Sequence, residues 1–250
     1  MRITFESDGC ALVGHHYLPN GGAQMPGLVV AHGFPSAAGG GANSYGTYPS
    51  LAERFAEERG WAALSFQFRG CGGSEGYFSL DAWLRDLRAA TDHVRRAGNI
   101  DQVWLVGFGT GGALAINAAA IDPDVAGAAV LATPADFSDW ASSPEDLVTY
   151  CRSLGVLSDD QPQDFDAWAA QLSEHSAERW AAELAPRPLL IVHGADDRTV
   201  PSLDARAIAD AHGEADLRLI PAAGHQLRHD PRSIAILLGW LERQRYRASR

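Results

Sequence analysis

The chain has 250 residues, 46% of them hydrophobic and 20% charged, enough for a single core that needs no disulfide or metal staple. A formal net charge of -11 at pH 7 argues against nucleic acid and anionic membrane surfaces as partners, since both reward clustered Lys and Arg. Three scattered cysteines, Cys10, Cys71 and Cys151, show no CxxC or Cys/His ligand spacing, so reduced thiols and no metal or other cofactor are expected.

Read in order, the chain opens with short strands over 4–5 and 12–18, joined by the Asp8-Gly9 turn. A buried β-rich run over 27–31 ends at His32-Gly33, and the glycine-rich loop Gly39-Gly40-Gly41 follows. The spacing predicts a helix over 51–58, a strand over 61–66 and an amphipathic helix over 80–96. Residues 103–106 then form a strand, 107–112 a dense glycine turn, and 113–120 an alanine-rich helix. Strands follow over 125–131, 189–193 and 217–220, before a C-terminal helix over 234–243. Between 135 and 184 strands give way to tryptophans and acidic residues, which reads as a helical lid inserted into one domain spanning 1–250. Strands alternating with covering helices imply a mostly parallel sheet with helices on both faces. The N-terminus has no apolar run before a small-residue cleavage site, and no apolar run nears the roughly 20 residues a bilayer requires, so a soluble cytoplasmic protein is expected.

The most informative passage is Gly107-Phe108-Gly109-Thr110-Gly111-Gly112. A glycine-rich turn between strand and helix can cradle a dinucleotide pyrophosphate, but that fingerprint belongs to the first βαβ unit and expects an acidic residue ending the next strand. Here several strands precede the turn, and the next strand runs into Leu131-Ala132-Thr133. The passage instead resembles the G-x-S-x-G nucleophile elbow of α/β-hydrolases, with glycine where the family carries serine. His32-Gly33-Phe34, Phe68-Arg69-Gly70-Cys71-Gly72-Gly73-Ser74, His193-Gly194-Ala195-Asp196-Asp197-Arg198-Thr199-Val200-Pro201 and Gly224-His225 resemble four further turns of that family, in its order. Within it, the chain is similar to esterases, serine aminopeptidase-like proteins and dienelactone hydrolases.

The resemblance implies an α/β-hydrolase fold, with Gly109 at the nucleophile position, Asp197 as triad acid and His225 as base. It implies an oxyanion hole made by the backbone N–H groups of Phe34 and Thr110. Thr110, following the elbow position, is expected to offer its N–H rather than its hydroxyl. Ser36 and Tyr45, in the loop after the third strand, and Phe137, Trp140 and Trp168, in the lid, are candidates to contact a ligand; the aromatics equally suit packing of lid helices on the sheet. Phe165 and Trp180 share that ambiguity. Cys71 is expected to be a buried structural thiol, and His15, His16, His175, His212 and His229 show no metal-ligand grouping.

Glycine at 109 cannot form an acyl-enzyme. Three functions follow: hydrolysis of a small ester or other acyl compound by water activated at His225, binding of a small hydrophobic ligand without turnover, or proton transfer on a bound carbonyl compound. The expected partner is a small acyl or carbonyl molecule, with homo-oligomerisation left open.

Overall fold

The computed structural model describes residues 1–19, 24–36 and 44–248, apart from the side chains of 44–46 and 247–248. The glycine-rich loop Gly39-Gly40-Gly41 and the side chain of Tyr45 lie outside the described residues. Among the described residues, eight strands form one sheet: β1 (Arg2–Ser7), β2 (Cys10–Tyr17), β3 (Met25–Ala31), β4 (Ala62–Phe66), β5 (Ile100–Phe108), β6 (Val125–Leu131), β7 (Leu189–Gly194) and β8 (Asp216–Ile220). Their order across the sheet is β1-β2-β4-β3-β5-β6-β7-β8. Only β1 with β2 and β2 with β4 pair antiparallel; every pair from β4 to β8 is parallel. This is the α/β-hydrolase architecture expected from the sequence.

The parallel strands are apolar on both faces because helices cover both. Along β3, Val29 and Ala31 join the core beneath α2 (Leu80–Arg96), α3 (Thr110–Ile121) and α8 (Ser202–His212). Leu28 and Val30 alternate into the opposite core, beneath α1 (Ser44–Arg59) and α9 (Pro231–Ala248). The two-residue period repeats in β5, β6 and β7, so sheet register decides which helix each side chain meets.

Strands β4, β6, β7 and β8 and helix α2 match the expected bounds to within one residue at each end, and the others run longer. Helix α3 begins three residues earlier than its alanine run, at Thr110, and is buried from Thr110 through Ala119. Helix α8 was not anticipated: Ala205, Ile208 and His212 are its only buried positions, too few for a clear apolar stripe. The parallel pairing of β7 with β8 nonetheless demands such a crossover.

Between β6 and β7 the chain forms α4 (Ser138–Ser142), α5 (Pro144–Ser153), α6 (Phe165–Glu174) and α7 (Ala177–Leu184). Asp164 and Ser176 cap α6 and α7, their side chains accepting from the N–H groups of Ala167 and Arg179. The excursion closes on itself near its start, where Asp136 bridges to Ser176 and Ala135 O accepts from Glu178 N at 3.1 Å. Among the described residues, no helix is long and apolar enough to cross a membrane.

Candidate active site

The turns singled out in the sequence lie at the C-terminal ends of β3, β4, β5, β7 and β8, the edge where open parallel sheets present their ligands. At the end of β5 the chain reverses into α3 through Gly109, whose φ of 51° and ψ of -124° lie in a region that L side chains rarely adopt. Its N–H donates to Leu131 O at 2.9 Å, and its carbonyl accepts from Gly112 N at 2.9 Å.

The glycines of this turn are not equivalent. A Cβ at Gly107 would stand 2.4 Å from Gly111 O, one at Gly111 2.2 Å from His32 O, and one at Gly112 2.0 Å from Thr133 Oγ1. Those three are dictated by packing of strand, helix and neighbouring loop. A Cβ at Gly109 would meet Gly33 Cα at 3.6 Å, Ala132 O at 3.9 Å and His225 Nε2 at 3.9 Å, all ordinary contacts. Among the described residues, space does not require glycine at 109; its φ favours it.

His225 Nδ1 lies 2.9 Å from Asp197 Oδ2. The Asp197 side chain is fully buried, and its Oδ1 accepts from Thr199 N at 2.8 Å and Val200 N at 3.0 Å. Burial opposes ionisation of this carboxyl, but the bonds from His225 and the two backbone N–H groups outweigh it and hold the pKa below the ordinary carboxylate range. An ionised Asp197 fixes His225 as the Nδ1–H tautomer, leaving Nε2 as a base facing Gly109. Gly194 allows this approach, since a Cβ there would stand 2.4 Å from Ala223 O and block the loop that carries His225.

Beneath Asp197, the buried His193 Nε2 donates to Val200 O at 3.0 Å and passes 3.5 Å from Asp197 Oδ2.

Phe34 follows Gly33, which packs directly on the elbow: a Cβ at Gly33 would be 3.0 Å from Phe108 O. Thr110 is the first residue of α3, so its N–H has no acceptor four residues back. The loop bearing Phe34 is locked by buried His32, whose Nδ1–H donates to Gly33 O at 2.7 Å while Nε2 accepts from Phe68 N at 3.1 Å. Burial pushes the His32 pKa down to about 4, against a smaller opposing effect of the Gly33 carbonyl, so the ring is neutral at pH 7.

These groups open onto a cleft of about 700 Å³. Phe34, Phe137, Trp140 and Tyr150 form an aromatic wall, with Phe34 and Trp140 centroids 5.0 Å apart and Phe137 and Trp140 5.1 Å apart. Ser36, Gly109, Thr110 and His225 also line the cleft. Trp168 does not. Its indole N–H donates to Phe78 O at 3.0 Å and its ring packs against Phe78, so it fastens helix α6 to the fold. Phe165 and Trp180 likewise pack against the core. Tyr150 was missed because it stands alone in α5, without a motif around it. The acidic lining residues Asp136, Asp139 and Asp204 were also not singled out. Burial drives the Cys71 thiol well above its ordinary range, which leaves it protonated and unreactive. Among the described residues, no group of three or more His, Cys, Asp or Glu is placed to hold a metal ion.

Comparison with known proteins agrees with this architecture. The profile of the serine aminopeptidase family S33 matches residues 29–155, about half of the chain. The chain belongs to this α/β-hydrolase family. Curated relatives of this hydrolase-family protein include the uncharacterized protein YfhR of Salmonella typhi, 28% identical over 161 residues, which cover 60% of this chain and 50% of the relative. YfhR of Escherichia coli O157:H7 is 27% identical over 145 residues, covering 58% and 45%. The chain thus matches about half the length of these relatives. Among solved structures, Est1E of Butyrivibrio proteoclasticus with bound ferulic acid superposes with a TM-score of 0.73 at 19% identity, covering 98% of both chains. Mouse alpha/beta hydrolase domain-containing protein 10 gives 0.73 at 19% identity, covering 99% of both. The Pyrococcus furiosus esterase Pf2001 gives 0.71 at 16%, covering 97% of this chain and 91% of the other. At such identity these structures speak for the hydrolase fold alone.

Proposed function

We propose that this protein hydrolyses a small ester or other acyl compound without a covalent intermediate. His225, held by Asp197, takes a proton from water; the resulting hydroxide attacks a carbonyl whose oxygen is received by the N–H groups of Phe34 and Thr110. The tetrahedral intermediate then collapses, and His225 returns the proton to the leaving oxygen. The observation that carries this reading is the Asp197–His225 pair, whose Nε2 lies 3.9 Å from the point where a Cβ of residue 109 would stand. A neutral ligand with an aromatic acyl group suits the wall of Phe34, Phe137, Trp140 and Tyr150, with Ser36 at its edge. Est1E, a fold neighbour with bound ferulic acid, makes aromatic esters the first substrates to try.

A second reading is favoured by Gly109 itself: the chain binds such a ligand without turning it over. Loss of a serine nucleophile removes about a factor of a million in rate, leaving roughly a thousand to ten thousand over water. The experiment is turnover of short-chain and aromatic p-nitrophenyl esters by wild type and His225→Ala. Turnover that falls about a hundredfold or more in the variant supports hydrolysis. Turnover indifferent to the variant refutes it, and stoichiometric binding without turnover selects the second reading.

A further inference from the structure

Although the chain carries a net charge of -11, one groove away from the cleft is lined by cationic side chains. It encloses about 310 Å³ between α1, the 3-10 turn Leu227–His229 and the start of α9. Arg54, Arg228 and His229 form its polar side. Pro231, Ile234, Ala235 and Leu238, spaced to share one face of α9, form its apolar side. None of these residues lines the cleft that holds His225.

The cations differ in how far the fold neutralises them. Arg54 pairs with Glu58 at 2.9 Å, and the adjoining Asp230 is taken up by Arg232 at 2.6 Å. Among the described residues Arg228 enters no ion pair, and its buried Nε has no hydrogen-bond partner. Its guanidinium lies over the Tyr48 ring, with Cζ 5.9 Å from the centroid. Stacking fixes the guanidinium plane without cancelling its charge, and leaves the edge of the fork for a planar acceptor. His229 is neutral at pH 7, because partial loss of hydration and then the charge of Arg228 hold its pKa below the ordinary range. The groove therefore sets one uncompensated positive charge beside an apolar face. That balance fits a monoanion with a small apolar body, whereas a multiply charged anion would be under-neutralised and would leave the apolar face uncovered.

We propose that this groove binds a small monocarboxylate, its carboxylate on Arg228 and its apolar body on Ile234 and Leu238. Pairing of a guanidinium with an oxyanion is bidentate and charge-assisted, which phosphate shares, but only a carboxylate with a hydrocarbon body also uses the apolar face. The site does not depend on turnover at His225. Carboxylic acids are also the products of the hydrolysis proposed above, so the test separates groove from cleft.

Binding is read by two-dimensional NMR of the 15N-labelled chain, titrated at pH 7 and constant ionic strength with benzoate, benzyl alcohol or inorganic phosphate. Benzoate is expected to give saturable shifts of the backbone amides around Arg54 and over 227–238. Benzyl alcohol lacks the charge and phosphate the apolar body, so each binds about tenfold or more weaker. Arg228→Gln weakens benzoate by about 10- to 100-fold, the range for a hydrogen bond to a charged group. Ala235→Trp, at an exposed helix position, fills the groove and abolishes the shifts with Arg228 intact. His225→Ala leaves them unchanged. Benzoate shifts confined to Phe34, Gly109 and His225 place the acid in the cleft and overturn the groove site. Shifts that never saturate, equal affinity for phosphate or benzyl alcohol, or undiminished binding by either groove variant overturn it too.

Discussion

Replacing Gly109 by serine tests the site at its centre. Among the described residues outside the adjoining ones, no atom lies within 3.4 Å of the new Cβ, whose nearest such neighbour is Gly33 Cα at 3.6 Å, so these residues impose no steric cost. What remains is the φ of 51°, a conformation costing a non-glycine residue about 1–3 kcal/mol. For a chain of 250 residues that lowers Tm by roughly 2–12 °C. The hydroxyl, one bond beyond a Cβ that is 3.9 Å from His225 Nε2, comes within the 2.6–3.2 Å, approximately, of an activated nucleophile. Restoring a nucleophile is worth up to about a million-fold in kcat, and even a poorly aligned one exceeds wild type by about a hundredfold. The assay pairs differential scanning fluorimetry with labelling by a fluorophosphonate and a p-nitrophenyl acetate burst. Labelling that vanishes in Gly109→Ser/His225→Ala is expected. A variant that melts within the stated window yet neither labels nor shows a burst refutes the geometry assigned to His225 and Asp197.

Asp197→Asn keeps the shape of the acid but loses the charge that selects the Nδ1–H tautomer, so hydrolysis is expected to fall by about a hundredfold, as far as on loss of the His225 base itself, with KM little changed; near-normal kcat contradicts the pairing. Stability should decline as pH falls from about 6.5 toward 4, because unfolded chains protonate His32 near its ordinary pKa whereas the native ring resists down to about 4. That contribution is fully present above 6.5, reaches about 3 kcal/mol, and is shared by His16, which burial also lowers to about 4. Urea unfolding of His32→Gln should therefore show a flatter dependence between pH 6.5 and 4, and an unchanged slope rejects a neutral native His32. Trp140→Ala should raise KM for aromatic esters with modest loss of stability, whereas Trp168→Ala should cost about 3–5 kcal/mol in urea with KM retained; the reverse pattern contradicts their assignment to wall and core.

Much of the fold was legible because its strands are buried on both faces and end in turns with steric demands. Residues 125–131 and 80–96 reveal themselves by unbroken apolarity and by a strong 3.6-residue period, and both elements have those bounds. The turns around Gly33, Gly107, Gly111, Gly112 and Gly194 are legible because close approach of neighbouring atoms there leaves little room for a side chain, and Gly109 because its φ favours glycine. Side chains in the helical excursion between β6 and β7 obey no comparable restriction. Trp140 and Trp168 are both aromatic residues on its helices, yet Trp140 lines the cleft whereas Trp168 packs on Phe78, whose ring in turn meets Phe34 of the cleft wall. Helix α8 escaped notice for a related reason, since its alanines bury little surface and give a weak period.

The helices between β6 and β7 leave and rejoin the fold at one place. Ala135 is tied by its N–H to Asp204 Oδ2 at 3.0 Å and by its carbonyl to Glu178 N, while Asp136 bridges to Ser176. The outgoing and returning strands of this excursion are thus stitched together where they leave the sheet. A loop whose ends already touch adds closure entropy that grows only slowly with its length. Changes of length between those stitches therefore add little to the closure cost, provided that the buried side chains of the stretch, Leu147, Cys151, Trp168 and Leu172 among them, still reach the core they share with the sheet. The exposed turns between its helices are where such changes fit, leaving the loops bearing His225 and Asp197 in position.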